Sequence, residues 1–165
     1  MHGIDNDMNF WTLNEPSKTP AFLLAEQGYD VWLGNNRGSR YGKGHLTLDY
    51  KTDADYWRFS VEEYGLKDLP AFIDHILAKT GQEKLTYIGH SQGTTAMFLG
   101  AALNPEYFEQ KVNLFVALGP ITVLKNIRVP SLKKMAPKWA PIEFFAHKVG
   151  AWNLFDANWV DEQGA

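Results

Sequence analysis

A chain of 165 residues, 45% apolar and 21% charged, is long enough for one domain with a core of its own and has the composition of an ordinary globular protein. Its formal net charge of -3 includes no basic block, which argues against a nucleic-acid partner, and no apolar run is long enough to span a bilayer. With no cysteine, disulfides, thiolate chemistry and cysteine-based metal sites are excluded.

In chain order, the first predicted element is a short helix in Pro-Ala-Phe-Leu-Leu-Ala-Glu-Gln, ending at Gly28, a good residue for the position after a helix. Tyr29 to Gly34 is short, apolar and closed by glycine, and predicts a first strand. The loop Asn35 to His45 holds three glycines and is rich in turn formers. Asp53 to Gly65 reads as a second helical or irregular stretch. Asp68 then stands as an N-cap with Pro70 in the first turn, ahead of Leu69, Phe72, Ile73, Ile76 and Leu77 at helical spacing. That helix is expected to stop near Gly81. Lys84 to Gly89 predicts the second strand, a helix follows from the Ser91 turn to Leu103, and Val112 to Gly119 predicts the third strand. Helix–strand–helix–strand alternation predicts an α/β fold, a mostly parallel sheet flanked by helices. Beyond Gly119 the prolines and apolar clumps lose strand spacing. This stretch reads as a helical or irregular insertion, either a peripheral layer or a cover for a pocket or lipid surface.

The centre of the second strand–helix junction is Gly89-His90-Ser91-Gln92-Gly93. Gly-x-Ser-x-Gly is weak as a bare pentapeptide. Between a strand and a helix it marks a sharp turn that exposes the serine hydroxyl. Gly89 and Gly93 lack a Cβ, so strand and helix can approach closely. The N–H of Gln92 lies at a helix N-terminus, where it can bond a developing oxyanion. Ser91 is therefore a candidate nucleophile, which needs a histidine base held by an acid. His90, its neighbour, points elsewhere at such a turn and is expected to be packed rather than to serve as that base.

These residues, together with Gly-Tyr-Asp-Val-Trp-Leu-Gly-Asn-Asn-Arg-Gly from Gly28 and Tyr-Trp-Arg-Phe-Ser-Val-Glu-Glu-Tyr-Gly-Leu-Lys-Asp-Leu-Pro from Tyr56, resemble the acid lipases. This is the α/β-hydrolase group of gastric and lysosomal lipases and sterol-ester hydrolases. The resemblance runs from His2 to about Val123. It implies a partial α/β-hydrolase core over residues 1–121 and the start of a cap or lid over residues 122–165. It also implies hydrolysis of long-chain acyl esters, triacylglycerol or sterol ester, through an acyl-serine, with no metal or organic cofactor. Ser91 matches the nucleophile and Gln92 one oxyanion-hole amide. The opening Met-His-Gly-Ile resembles the family's His-Gly-Leu loop, which puts Ile4 at the second oxyanion amide and Trp11 at a family tryptophan. Asn35 and Arg37 match a loop that is mainly structural. The implied partner is a lipid ester substrate, with contact to a lipid interface through the cap. The family is lysosomal, secreted or on lipid droplets.

The family order is Ser, then Asp, then His, the last two beyond the cap. Here the histidine after Ser91 is His147, inside the insertion and ahead of Asp156 and Asp161, which reverses the order. His147 is expected to be a surface or interface residue, and no catalytic Asp or His is assigned. The chain is expected to be an internal portion of an acid-lipase-like protein, with a sheet of about three strands and nearly inactive alone. Two other readings remain. One is a thioesterase or acyltransferase of the same fold, since all pass through an acyl-serine. The other is a non-catalytic binding module.

Overall fold

The computed structural model of the protein describes residues 1–125, 128, 130–139, 141 and 142. After a 3-10 turn at Met8–Trp11 come α1 (Pro20–Glu26), α2 (Val61–Glu63), a π turn (Tyr64–Asp68) and α3 (Leu69–Thr80). Then follow β1 (Leu85–His90), α4 (Gln92–Leu103), α5 (Pro105–Lys111), β2 (Val112–Leu118) and α6 (Pro130–Met135). β1 and β2 are parallel, with Tyr87 opposite Phe115 and His90 opposite Leu118, so the expected α/β architecture is present. A parallel pair needs a crossover, and α4 and α5 supply it. The seven residues of α5 were not expected from sequence. Pro105 ends α4, but as a first helical residue it also starts a new helix, and that helix buries Phe108.

The core lies on one side of the sheet. Leu69 and Ile73 of α3, Tyr87 of β1, Ala96 and Met97 of α4 and Phe108 of α5 form a single buried cluster. Phe115 joins it edge-on to Tyr87 at 5.6 Å and to Phe98 at 5.1 Å. On β2, Leu114 and Leu118 are exposed.

Two expectations are corrected here. Tyr29–Gly34 takes no part in a ladder among the described residues. Its apolar side chains carry strand propensity, but a strand exists only through a neighbour, and Tyr29 and Trp32 stand exposed. Its Gly34 end is close to Met1 instead: a Cβ there would lie 3.0 Å from the Met1 Cε. Met1 in turn bonds the free edge of β1. Its nitrogen donates to Ile88 O (2.6 Å) and its carbonyl accepts from the His90 N–H (3.0 Å), the pattern of one parallel-strand residue opposite Gly89.

Asp68, expected as an N-cap, has helical backbone angles and caps nothing. The helix begins earlier, at a capping box in which Ser60 Oγ accepts from the Glu62 N–H and the Ser60 N–H donates to Glu63 Oε2 (2.8 Å). It then runs through the π turn into α3. Pro70 explains the turn. It has no N–H for the carbonyl four residues back, and its ring would crowd that carbonyl. The Leu69 N–H reaches five residues back, to Tyr64 O, and the wider turn makes room. The turn also presents Gly65 to α4, where a Cβ would sit 2.7 Å from Ala96 O and 3.0 Å from Gly100 N.

The Asp68 carboxylate is thereby free to face the Asn35–His45 loop. It accepts from the Arg37 backbone N–H (3.1 Å), Nε (2.8 Å) and Nη2 (2.6 Å). Asn35 Oδ1 accepts from the Met8 N–H at 2.9 Å. Both loop residues are structural, tying the loop to α3 and to the N-terminal segment.

Candidate active site

Ser91 stands between the last residue of β1 and the first of α4 with φ 50 and ψ -115. A non-glycine residue holds such angles only where its surroundings over-determine them, at a cost of about 1–3 kcal/mol. Here they do. The Ser91 N–H donates to Leu118 O (3.0 Å), and its carbonyl accepts from the Thr94 N–H (2.9 Å) and the Thr94 hydroxyl (2.6 Å). Both flanking glycines are required by contact. A Cβ on Gly89 would lie 2.9 Å from the Gly93 carbonyl, and one on Gly93 would lie 2.7 Å from Met1 O and 2.8 Å from His2 O. The buried Tyr87 hydroxyl donates to Gly93 O at 2.8 Å and fixes the first turn of α4 from below. Gln92 opens α4, so its N–H is one of the first-turn donors that a helix leaves without an internal partner.

The His2-Gly3-Ile4 segment folds against this turn. A Cβ on Gly3 would be 3.1 Å from Ser91 Cβ and 3.0 Å from His90 Nδ1, so the loop backbone lies directly over the serine. Ile4 follows at an exposed turn, with Asp5 at φ 57. His2 is buried. Its Nε2 faces the Asn36 N–H at 3.2 Å and accepts from it, so Nδ1 carries the proton and donates to Gly3 O at 2.8 Å. One neutral imidazole thus pins the loop at two points.

Burial, the largest cause, holds the His2 pKa below its ordinary value. The α-amino group lowers it further, while the Gly3 carbonyl and Asp7 oppose the shift. A base whose folded pKa is depressed takes up protons more readily when unfolded. The stability that neutral His2 confers is therefore complete above about pH 6.5, its usual pKa, and is lost as pH falls below that value. His2→Gln should flatten that part of a melting-temperature profile between pH 7.5 and 5, and an unchanged slope would remove His2 as its source.

His90 is packed, as expected from sequence. Its ring stacks on Phe10 at 4.5 Å and 19°, and Nδ1 is buried beside Gly3. Trp11 is buried with its ring edge-on to Phe10 at 5.2 Å. The structure thus brings Ser91, Gln92, Gly3 and Trp11's neighbour Phe10 to one place, with Ile4 at its rim. His147, Asp156 and Asp161 lie outside the described residues. Among the described residues no His, Asp or Glu cluster could hold a metal ion, and no helix is long and apolar enough to cross a membrane.

Sequence reasoning missed four contributors. Phe10 gave no signal beyond being aromatic. Asn36 acts through its backbone, which sequence does not reveal. Thr94 and Thr95 did give one: hydroxyls in a first helical turn seek carbonyls nearby.

Comparison with known proteins places the chain in a family. The family model described as "alpha/beta hydrolase fold" matches residues 9–147. Lipase member K of Homo sapiens is 46% identical over 132 residues, covering 80% of this chain and 33% of that protein. Gastric triacylglycerol lipase of Mus musculus is 41% identical over 150 residues, covering 90% of this chain and 37% of that protein. Lipase member M of Homo sapiens is 42% identical over 132 residues, covering 80% of this chain and 31% of that protein. The chain spans about one third of the length of the curated relatives it matches. With a serine held at positive φ between a parallel strand and a helix, and a family match over most of its length, the chain belongs to the α/β-hydrolase fold family.

Proposed function

We propose that this chain carries the nucleophile and oxyanion hole of a serine carboxylic ester hydrolase acting on lipid esters. The observation that supports this most is the Ser91 backbone, held at φ 50 and ψ -115 with the Gly3 loop against it. Ser91 Oγ attacks the ester carbonyl as its proton passes to a base. The carbonyl oxygen becomes an anion, received by the N–H of Gln92 at the positive end of α4 and by the N–H of Ile4 in the facing loop. Collapse expels the alcohol and leaves an acyl-serine, which water hydrolyses to the fatty acid and free Ser91. Nothing in this sequence of steps needs a metal or organic cofactor. Among the described residues no imidazole is hydrogen-bonded to the Ser91 hydroxyl, and the base and its orienting acid are not assigned.

The lipid substrate is supported by the relatives' names and by the apolar residues around the turn, Ile4 and Phe10 among them. Residues from 122 onward are read as the start of a cap that meets a lipid interface. The test is an assay of the full-length protein on p-nitrophenyl palmitate and p-nitrophenyl acetate. A site that buries the acyl chain prefers the palmitate by at least about tenfold in kcat/KM, the return on two buried methylenes at about 0.8 kcal/mol each. A preference for acetate would overturn the lipid assignment and leave a small-ester hydrolase.

A further inference from the structure

The first turn of α4 does something the ester chemistry above does not use. Thr94 and Thr95 grip one distant residue, Ile121, by both of its backbone groups. The Ile121 N–H donates to Thr94 Oγ1 at 3.0 Å, and Thr95 Oγ1 donates to the Ile121 carbonyl at 2.8 Å. Thr94 is fully buried, and its hydroxyl proton goes to Ser91 O at 2.6 Å. The Ser91 N–H meanwhile holds Leu118 O. The chain leaving β2 is thus fastened at two points to the serine turn, before and after Gly119, which bends at φ 56.

A threonine in a helix ordinarily turns its hydroxyl back on its own helix. Thr95 instead reaches 26 residues along the chain. Both side chains are branched at Cβ and hold few rotamers, so the two hydroxyls are aimed before Ile121 arrives. A clasp on both groups of one peptide residue fixes the position of that residue and the direction in which the chain continues.

We propose that Thr94 and Thr95 are positioning residues which set Ile121, and the start of the segment that follows it, at a fixed place beside Ser91, and so set how a long acyl group is received. This rests on the reading of Ser91 as the nucleophile. The clasp does not touch the reacting atoms. Loosening its Thr95 half therefore weakens binding of a long acyl chain while leaving the serine turn, held by Leu118, Thr94 and the flanking glycines, able to react.

The experiment compares Thr95→Val, which keeps the shape and loses the donor, with Thr95→Ser, which keeps the donor, in the full-length protein. Ser91→Ala runs alongside. In Thr95→Val, KM for p-nitrophenyl palmitate should rise roughly fivefold to tenfold, the equivalent of one hydrogen bond, with kcat changed by less than about twofold. Thr95→Ser should return KM to within about twofold of the parent. Deuterium exchange at the Ile121 amide, which needs no activity, should quicken by a similar factor in Thr95→Val and not in Thr95→Ser. Parent-like KM and exchange in Thr95→Val, with Ser91→Ala inactive, would overturn the clasp alone. Activity that survives Ser91→Ala would overturn the nucleophile and the clasp's role together. A Thr95→Val chain that fails to fold while Thr95→Ser folds with unchanged kinetics would mark the clasp as structural, and Thr95→Ala then decides by the same KM and exchange readings.

Discussion

Ser91→Ala is expected to remove the proposed ester hydrolysis from the full-length protein while leaving its melting temperature within a few degrees of the parent. The expected loss is large because, with Ser91 as the proposed nucleophile, no second attacking oxygen stands at the turn among the described residues. In a serine hydrolase, removing the nucleophile costs about 10⁶ in kcat. The fold survives because the serine hydroxyl is not what holds the turn. That work is done by the Ser91 N–H on Leu118 O, by Thr94 on the Ser91 carbonyl, and by Tyr87 on Gly93 O. Ser91→Gly separates the two roles further. It is equally inactive, yet it relieves the strain at φ 50 and should raise stability by about 1 kcal/mol. Titration of released fatty acid and a thermal melt read both. Hydrolysis at the parental rate in either variant would show that another group attacks the ester.

Gly93→Ala is the second large effect, and it acts without touching the serine. The added methyl would meet Met1 O at 2.7 Å and His2 O at 2.8 Å. Both are backbone atoms that cannot swing aside, so the loop carrying Gly3 and Ile4 must lift from the serine turn. An oxyanion donor moved out of hydrogen-bond range costs about 10²–10³ in kcat. An oxyanion donor acts on charge that develops only after the substrate has bound, so KM should change much less. Steady-state kinetics on the full-length variant checks this split. A kcat within about threefold of the parent would mean that the Met1–Ile4 segment contributes no donor.

The serine turn was legible because its chemistry demands particular residues at fixed spacing. Gly89 and Gly93 are needed where backbones meet below 3 Å, and a strand and a helix must flank them. The ends of α1 and α3 were legible for a similar reason, since Gly28 and Gly81 both take positive φ. What the sequence did not disclose were the features decided between distant segments. Tyr29–Gly34 has the composition of a strand, but pairing is not a local property. Asp68 looked like a cap because it precedes a proline, and only the Arg37 guanidinium shows where its carboxylate goes. The His2-Gly3 loop was suggested by resemblance, but the Asn36 N–H that holds the His2 ring was not. The roles proposed for Gln92 and Ile4 rest on backbone N–H groups that every residue but proline carries. The sequence can therefore locate such donors only through the turn that presents them.

The π turn bears on which changes of length this region tolerates. One residue taken from Tyr64–Asp68 would force a tighter α turn here, with the Pro70 ring against the carbonyl four residues back. The residues of the turn itself would be displaced, among them Gly65, which sits against Ala96 and Gly100. Related chains are thus expected to vary freely in the loop between Gly42 and Asp53, yet to keep the count of residues from Ser60 to Pro70 fixed.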